Sequence, residues 1–460
     1  MWWVYGGLVW LIVELVFYSY LNLGYRKSIE KVRNRSRFHL GMDKTLEHMR
    51  RMCTIIKKVS SIEEFTRGFF CGASVSSLGQ DNCLSFITWA FVGEDYFVLK
   101  DSSSEKDNEK LTMVRKCFNL LCEYFPKDMA KIKPGYNPAV RHVSMCLDPV
   151  RFHHKPFIFY AFLNVFNYAY EFIVMKLLGG WASSHVNIAP VHVNRSWGKA
   201  DFKLKYWYKN VEKKGKGAQA DPLLFLHGIS YGWIIYSGML SLWVDRPVLM
   251  VDLESIKIGT LSKAHPNAPA LANALKTILN FHGFETADIC GHSFGTMLAT
   301  TVLNYTPEII GTNLVLIDPV CLLLTLPDVA YNFLYKPPVS VMDWLIQLGA
   351  SREATVARTL YRDFVWFEYD MILEKVPPHV NIIAVLGGKD EVLNPVCIHN
   401  YLTIFESEEG KNRKGFVKNM LLEGAAHGEV LFSGGDLMQV QEAIEDGHRR
   451  NREVMSSSGI

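Results

Sequence analysis

A mostly parallel β-sheet with helices on both faces is the fold class this sequence predicts, on three observations. Short apolar runs recur through its second half, helix-like stretches alternate with them, and one run passes straight into a helix through Gly291-His292-Ser293-Phe294-Gly295. Alternation of strand and helix is the pattern of an α/β sheet covered on both sides. In order, the strands read as Phe202–Tyr208, Leu223–Leu226, Pro247–Asp252, Ala287–Cys290, Leu314–Ile317, Ile382–Leu386 and Val417–Leu422. Ala268–Phe281 and Val396–Phe405 read as helices among them. Between Pro319 and Pro378 lies a longer apolar and aromatic insertion, with helical stretches at Val329–Tyr335 and Val341–Leu348.

The Gly-x-Ser-x-Gly turn gives a serine the sharp strand-to-helix geometry that pushes its hydroxyl to where a base reaches it. Further along, the run to Leu386 ends in Gly387-Gly388-Lys389-Asp390, and the run to Leu422 ends in Glu423-Gly424-Ala425-Ala426-His427-Gly428. Ser, then acid, then His is the order of a nucleophile, an orienting acid and a base. Upstream, Leu223–Leu226 leads into His227-Gly228-Ile229-Ser230, the place for a first oxyanion amide. The candidate catalytic residues are therefore Ser293, Asp390 and His427, with the backbone N–H groups of Phe294 and Ile229 as the oxyanion hole. Asp318, ending the run Leu316-Ile317-Asp318-Pro319, is the alternative acid; otherwise it reads as a helix N-cap ahead of Pro319. His227 reads as a structural brace of the oxyanion loop, and His292 as a ring packed on the sheet.

On these motifs residues 201–445 resemble the α/β-hydrolase superfamily in its lipase and esterase branch. The resemblance implies a helical lid over the site, at about 320–378, and an acyl-enzyme formed on Ser293. The Gly-x-Gly that often follows the fourth strand of that family is absent here, where Val251-Asp252-Leu253-Glu254-Ser255 runs on. Epoxide hydrolase and dehalogenase chemistry is disfavoured, because those branches use an aspartate where Ser293 stands. The reaction implied is hydrolysis of lipid-like carboxylic esters. The alternatives are acyl transfer with the same triad, or an inactive scaffold that keeps the fold. No cofactor and no metal is implied; the pair His153-His154 lacks the further ligands a zinc site needs.

The N-terminus points to a membrane. Trp2 to Gly24 is 23 residues with Glu14 as the only charge, long enough to cross a hydrocarbon core of about 30 Å. Aromatic residues stand toward both ends, and Arg26, Lys27, Lys31, Arg33, Arg35 and Arg37 follow. Residues 1–24 are therefore expected to be an uncleaved single-pass anchor, with the body on the cytosolic face of an endomembrane such as the endoplasmic reticulum. Residues 157–179 are apolar enough for a second span, but Asn164, Asn167 and Glu171 form one polar stripe, with Lys176 close by. A helix lying on the bilayer or packed on the body suits that pattern. A crossing there would move the body across the membrane and make the sequons at Asn194 and Asn304 usable.

The rest of 25–200 reads as a helical accessory region. Gly68–Ala73 and Asp81–Phe91 are expected to pack in it, and its arrangement loosely resembles membrane-anchored α/β-hydrolases of microbial eukaryotes. Residues 101–110 read as a polar loop, Lys213–Gln219 as a solvated turn, 201–450 as the hydrolase domain and 451–460 as a disordered tail. A formal charge of +3 over 460 residues does not argue for nucleic acid. Nine scattered cysteines without a CxxC read as free thiols.

Overall fold

The computed structural model describes residues 2–31, 40–188, 202–211, 221–243, 245–262 and 264–457. Arg33, Arg35, Arg37, the Asn194 sequon and Lys213–Gln219 lie outside them. Eight strands form one sheet: β1 (Ala182–Ile188), β2 (Phe202–Lys209), β3 (Leu223–Leu226), β4 (Val248–Asp252), β5 (Ala287–His292), β6 (Ile310–Ile317), β7 (Asn381–Gly387) and β8 (Val417–Leu422). Their spatial order is β1-β2-β4-β3-β5-β6-β7-β8. The first two strands run antiparallel, and β4, β3, β5, β6, β7 and β8 are mutually parallel. The expected α/β class is thus the observed one.

Side chains alternate across this sheet, as the two-residue period of a strand requires. Leu224, Leu226, Leu249, Val251, Leu314 and Leu316 face one side, where helices Ala268–Phe281 and Phe294–Tyr305 cover them. Leu223, Phe225, Val248, Met250, Val315 and Ile317 face the other, under the C-terminal helix Gly434–Ser457. That helix is clamped to the sheet by charge. His448 bonds the buried Asp288 at 2.7 Å and lies 3.3 Å from Asp221, while Arg246 holds Asp288 at 2.8 Å. Of the tail expected to be disordered at 451–460, residues 451–457 belong to this helix instead, where Asn451 donates to Thr312; residues 458–460 lie outside the described residues.

Two other readings change. Residues 182–188, assigned to the helical accessory region, form edge strand β1. Their sequence, Ala-Ser-Ser-His-Val-Asn-Ile, has too few apolar residues to stand out, because an edge strand needs only one neighbour. The polar run 101–110 is a loop only as far as Ser104; from Glu105 it is the start of helix Glu105–Tyr124. Glu105 and Asp107 there complement the helix dipole, and Lys110 ties that turn to Glu94.

The helices Met42–Val59, Ile62–Phe69, Gln80–Val92 and Glu105–Tyr124 do not form a separate core. Their buried residues are continuous with the covered face of the sheet and with the insertion after β6. Contact is close enough that a Cβ at Gly68 would lie 2.2 Å from the Pro327 ring. Arg51 pairs with Asp370 at 2.7 Å, and Arg362 reaches Glu30 at 2.6 Å.

Among the described residues two helices are long and apolar enough to cross a membrane, Tyr5–Glu30 and Phe157–Leu178. They touch: the Glu14 carboxylate accepts from the Phe157 backbone N–H at 2.9 and 3.1 Å, and Phe17 stacks edge-on against Phe157 and Tyr160. The polar stripe of the second helix faces the body. Asn164 donates to Gly259 O, and Glu171 pairs with Lys205 and Lys257. Its opposite face, with Phe162, Val165, Phe172 and Leu177, is exposed.

The clamp on the last helix predicts a pH-dependent stability. Burial disfavours the charged His448 ring, but the carboxylates of Asp221 and Asp288 outweigh this and hold its pKa up at about 9. A folded pKa above the unfolded one stabilises fully below about 6.5, and the gain disappears as pH rises through about 9. His448→Ala is expected to cost about 2 kcal/mol at pH 6 and clearly less at pH 10 in chemical denaturation.

Candidate active site

The C-terminal ends of β3, β5, β6, β7 and β8 bring the predicted site residues together. Ser293 follows β5 with φ +51° and ψ −120°, a conformation costly for a side-chain-bearing residue. The elbow persists because its surroundings leave it no alternative. The Ser293 N–H donates to Ile317 O at 2.8 Å, and the Thr296 hydroxyl donates to Ser293 O at 2.7 Å. Gly295 is required by close approach, since a Cβ there would sit 1.8 Å from Leu226 O.

His427 stands in the loop after β8, with Nε2 2.8 Å from Ser293 Oγ. Its Nδ1 lies 2.6 Å from Asp390 Oδ2 in the loop after β7. The other Asp390 oxygen accepts from the N–H groups of Val392 and Leu393, at 2.7 and 3.0 Å, so the carboxylate cannot rotate away. Backbone bonds hold the two loops together: Gly388 N–H to Leu422 O and Lys389 N–H to Ala425 O. Burial disfavours the charged His427 ring, yet the carboxylates of Asp390 and Asp318 outweigh it and hold its pKa up at about 9.

Asp318, the alternative acid, is engaged with the backbone. It lies at φ +44° rather than at an N-cap, and His427 Nδ1 is turned to Asp390 instead. Its two oxygens accept from Gly387 N–H at 3.1 Å and Gly428 N–H at 2.7 Å. Asp318 therefore ties the acid loop to the histidine loop, a positioning role with no sequence signal beyond its place at a strand end. His292 lies 3.7 Å from the same carboxylate, too far for a hydrogen bond.

Phe294 occupies the first position of its helix, where the N–H has no intrahelical acceptor. Ile229 lines the same cavity as Ser293 and His427. The turn between β3 and Ile229 is braced by His227, whose Nδ1 meets Gly228 O at 2.7 Å and whose Nε2 accepts from Leu253 N–H at 3.0 Å. Burial of the ring lowers its pKa. Tyr236, which sequence reasoning missed, accepts from Gly228 N–H at 2.8 Å and reaches His292 Nδ1 at 3.1 Å. Nothing in its sequence context marks that role.

The cavity above Ser293 has a volume of about 520 Å³. Ile235, Met342, Ile346, Leu431 and Phe432 are among its apolar walls. Met342 and Phe432 are also exposed, so they frame its mouth. Its roof comes from the insertion after β6, with helix Val341–Ile346 continuing through Gln347–Ser351. Asp318, Asp390 and His427 form a cluster of ligand-type atoms, but hydrogen bonds to the histidine and to backbone N–H groups account for its geometry.

Residues 223–397 match the family described as the Alpha/beta hydrolase family. No curated protein matches the chain. Among solved structures, a membrane phospholipase A described as a bacterial virulence factor is similar at 17% identity and a TM-score of 0.40, covering 64% of this chain and 94% of that one. The carboxylesterase CesB from Bacillus subtilis is similar at 15% identity and 0.37, covering 61% and 97%. The epoxide hydrolase VrEH1 from Vigna radiata is similar at 12% identity and 0.36, covering 57% and 98%.

The two carboxylates predict different mutant behaviour. Asp390→Asn is expected to lower kcat on an activated ester by about 10⁴-fold. Asp318→Asn is expected to cost about 1–3 kcal/mol of stability and to lower kcat far less. Attack requires a neutral imidazole, so kcat/KM should climb with pH toward about 9 in the wild type. In Asp390→Asn this limb should move to lower pH. A large kcat loss confined to Asp318→Asn would reassign the acid.

Proposed function

We propose that this chain, which belongs to the α/β-hydrolase superfamily, is a membrane-anchored serine hydrolase that cleaves lipid-like carboxylic esters through an acyl-enzyme on Ser293. The observation that carries the reading is the continuous hydrogen-bonded line from Ser293 Oγ through His427 to Asp390, at a positive-φ elbow beneath a largely apolar cavity.

In this mechanism Ser293 Oγ attacks the acyl carbon while His427 Nε2 takes its proton. Asp390 fixes the ring with Nδ1–H toward itself and stabilises the imidazolium that forms. The N–H groups of Phe294 and Ile229 receive the negative charge growing on the carbonyl oxygen. One such donor typically contributes about 2.7–4 kcal/mol to lowering the barrier. His427 then protonates the departing alkoxide. In the second half it activates water, which releases the acid and restores the serine.

A bilayer source for the substrate is supported by where apolar surface is left exposed. The helix beginning at Trp2 and the outer face of Phe157–Leu178 are exposed, and so are Val341, Trp344 and Leu345 on the roof of the cavity. Exposed apolar surface of this kind suits a lipid neighbour. Because Asn164 and Glu171 engage the body, the second helix fits a helix lying along the interface, and residues 1–24 fit the anchor.

A fluorophosphonate reporter tests the reading directly. The wild-type protein is expected to label covalently, and Ser293→Ala to lose labelling altogether. A wild-type protein that stays unlabelled, under conditions that label a control esterase, would refute the proposed chemistry.

A further inference from the structure

Behind the site lies a second cavity, of about 60 Å³, which the chemistry above does not use. It shares Met297, Val329, Phe333 and Leu360 with the cavity over Ser293, so the two adjoin at those side chains. Its far wall comes from the accessory helices: Met52, Phe69, Phe86, Trp89 and Ala90. Apart from Thr325, every side chain lining it is apolar or aromatic. At about 10–15 Å³ for each water-sized group, it has room for about four to six methylenes. Of the side chains at that boundary, Met297 is unbranched and the one best able to turn aside and join the two spaces.

We propose that this pocket receives the terminal methylenes of a long acyl chain, and that residues 42–92 thereby set the chain length the enzyme accepts. The inference rests on the serine-hydrolase reading and extends it to the substrate class. Reaction order gives the direction. The alcohol must leave and water must enter while the acyl group is still bound to Ser293. The inner end, away from the exposed Met342 and Phe432, therefore suits the acyl chain, and the mouth at those two residues suits the alcohol and water. A purely hydrocarbon lining offers a carboxylate or headgroup nothing, but it suits an alkyl end. The accessory helices are fixed for the task, because Gly68 lies against Pro327 and Trp366 Nε1 donates to Ala90 O at 2.7 Å.

The test uses the full-length protein in detergent and palmitic acid carrying a diazirine at its terminal carbons. After irradiation, cross-links are expected on peptides containing Met52 or Phe86–Ala90. Cross-links confined to Met342 or Phe432 at the mouth would overturn the assignment. Because this readout needs no turnover, it stands apart from fluorophosphonate labelling, whose failure would strike the hydrolase reading instead.

Two variants extend the test to selectivity. Each methylene moved into an apolar site is worth about fourfold. Ala90→Phe should therefore lower the ratio of kcat/KM for C16 over C4 esters by more than tenfold, and move the cross-link out of the 86–90 peptide. Met52→Ala, which enlarges the pocket instead of filling it, should shift the optimum to longer chains. Unchanged chain-length profiles in both variants would overturn the proposal.

Discussion

The close seat of the helix after Ser293 on strand β3 is the constraint on which the site depends. Gly295 lies so near Leu226 O that no side chain fits, and this forces the backbone at Ser293 into its positive-φ elbow. One packing contact thereby sets three things. It aims Ser293 Oγ at His427, leaves the Phe294 N–H at the free start of a helix, and places Met297 one turn on, between the two cavities. The strain, of order 1–3 kcal/mol, is offset by a helix whose residues Phe294–Leu303 are all buried.

His427 and Asp390 are positioned by a second, independent device. They come from different loops, after β8 and β7, and neither loop is regular. Parallel pairing of the two strands brings Gly387 opposite Leu422, and backbone bonds carry the alignment past the strand ends. Asp318, from β6, completes the arrangement by accepting an N–H from each loop. A buried carboxylate with two amide donors is well satisfied, so it holds the geometry of both loops.

Much of this was legible in the sequence, for physical reasons that also explain the rest. The seven strands read from the sequence fall on β2 to β8, because the central ones, packed between helices, are largely apolar, and β2 alternates apolar and polar residues. The Gly-x-Ser-x-Gly turn and the two strand-end loops were visible as motifs because turns constrain residue type locally. Edge strand β1 was not visible, since half-exposed polar residues satisfy it. The roles of Tyr236 and Asp318 were not visible either, as each depends on which distant backbone N–H the fold presents. The accessory helices showed their amphipathic and aromatic segments, but a shared cavity wall is a product of docking. No local pattern encodes it.

The accessory region, the roof of the cavity and the apolar N-terminal helices form one connected body around the site. Arg362 joins the roof to Glu30, and Glu14 joins the first apolar helix to the second. The central claim within that body is covalent chemistry at one serine. It is tested most directly by acid-quenching the protein during turnover of a p-nitrophenyl ester and measuring its intact mass. The account predicts a transient species heavier by one acyl group, located by peptide mapping to Ser293 and lost as turnover ends. Ester turnover with no acylated species, even in a variant slowed in deacylation, or an acyl group on another residue, would contradict it.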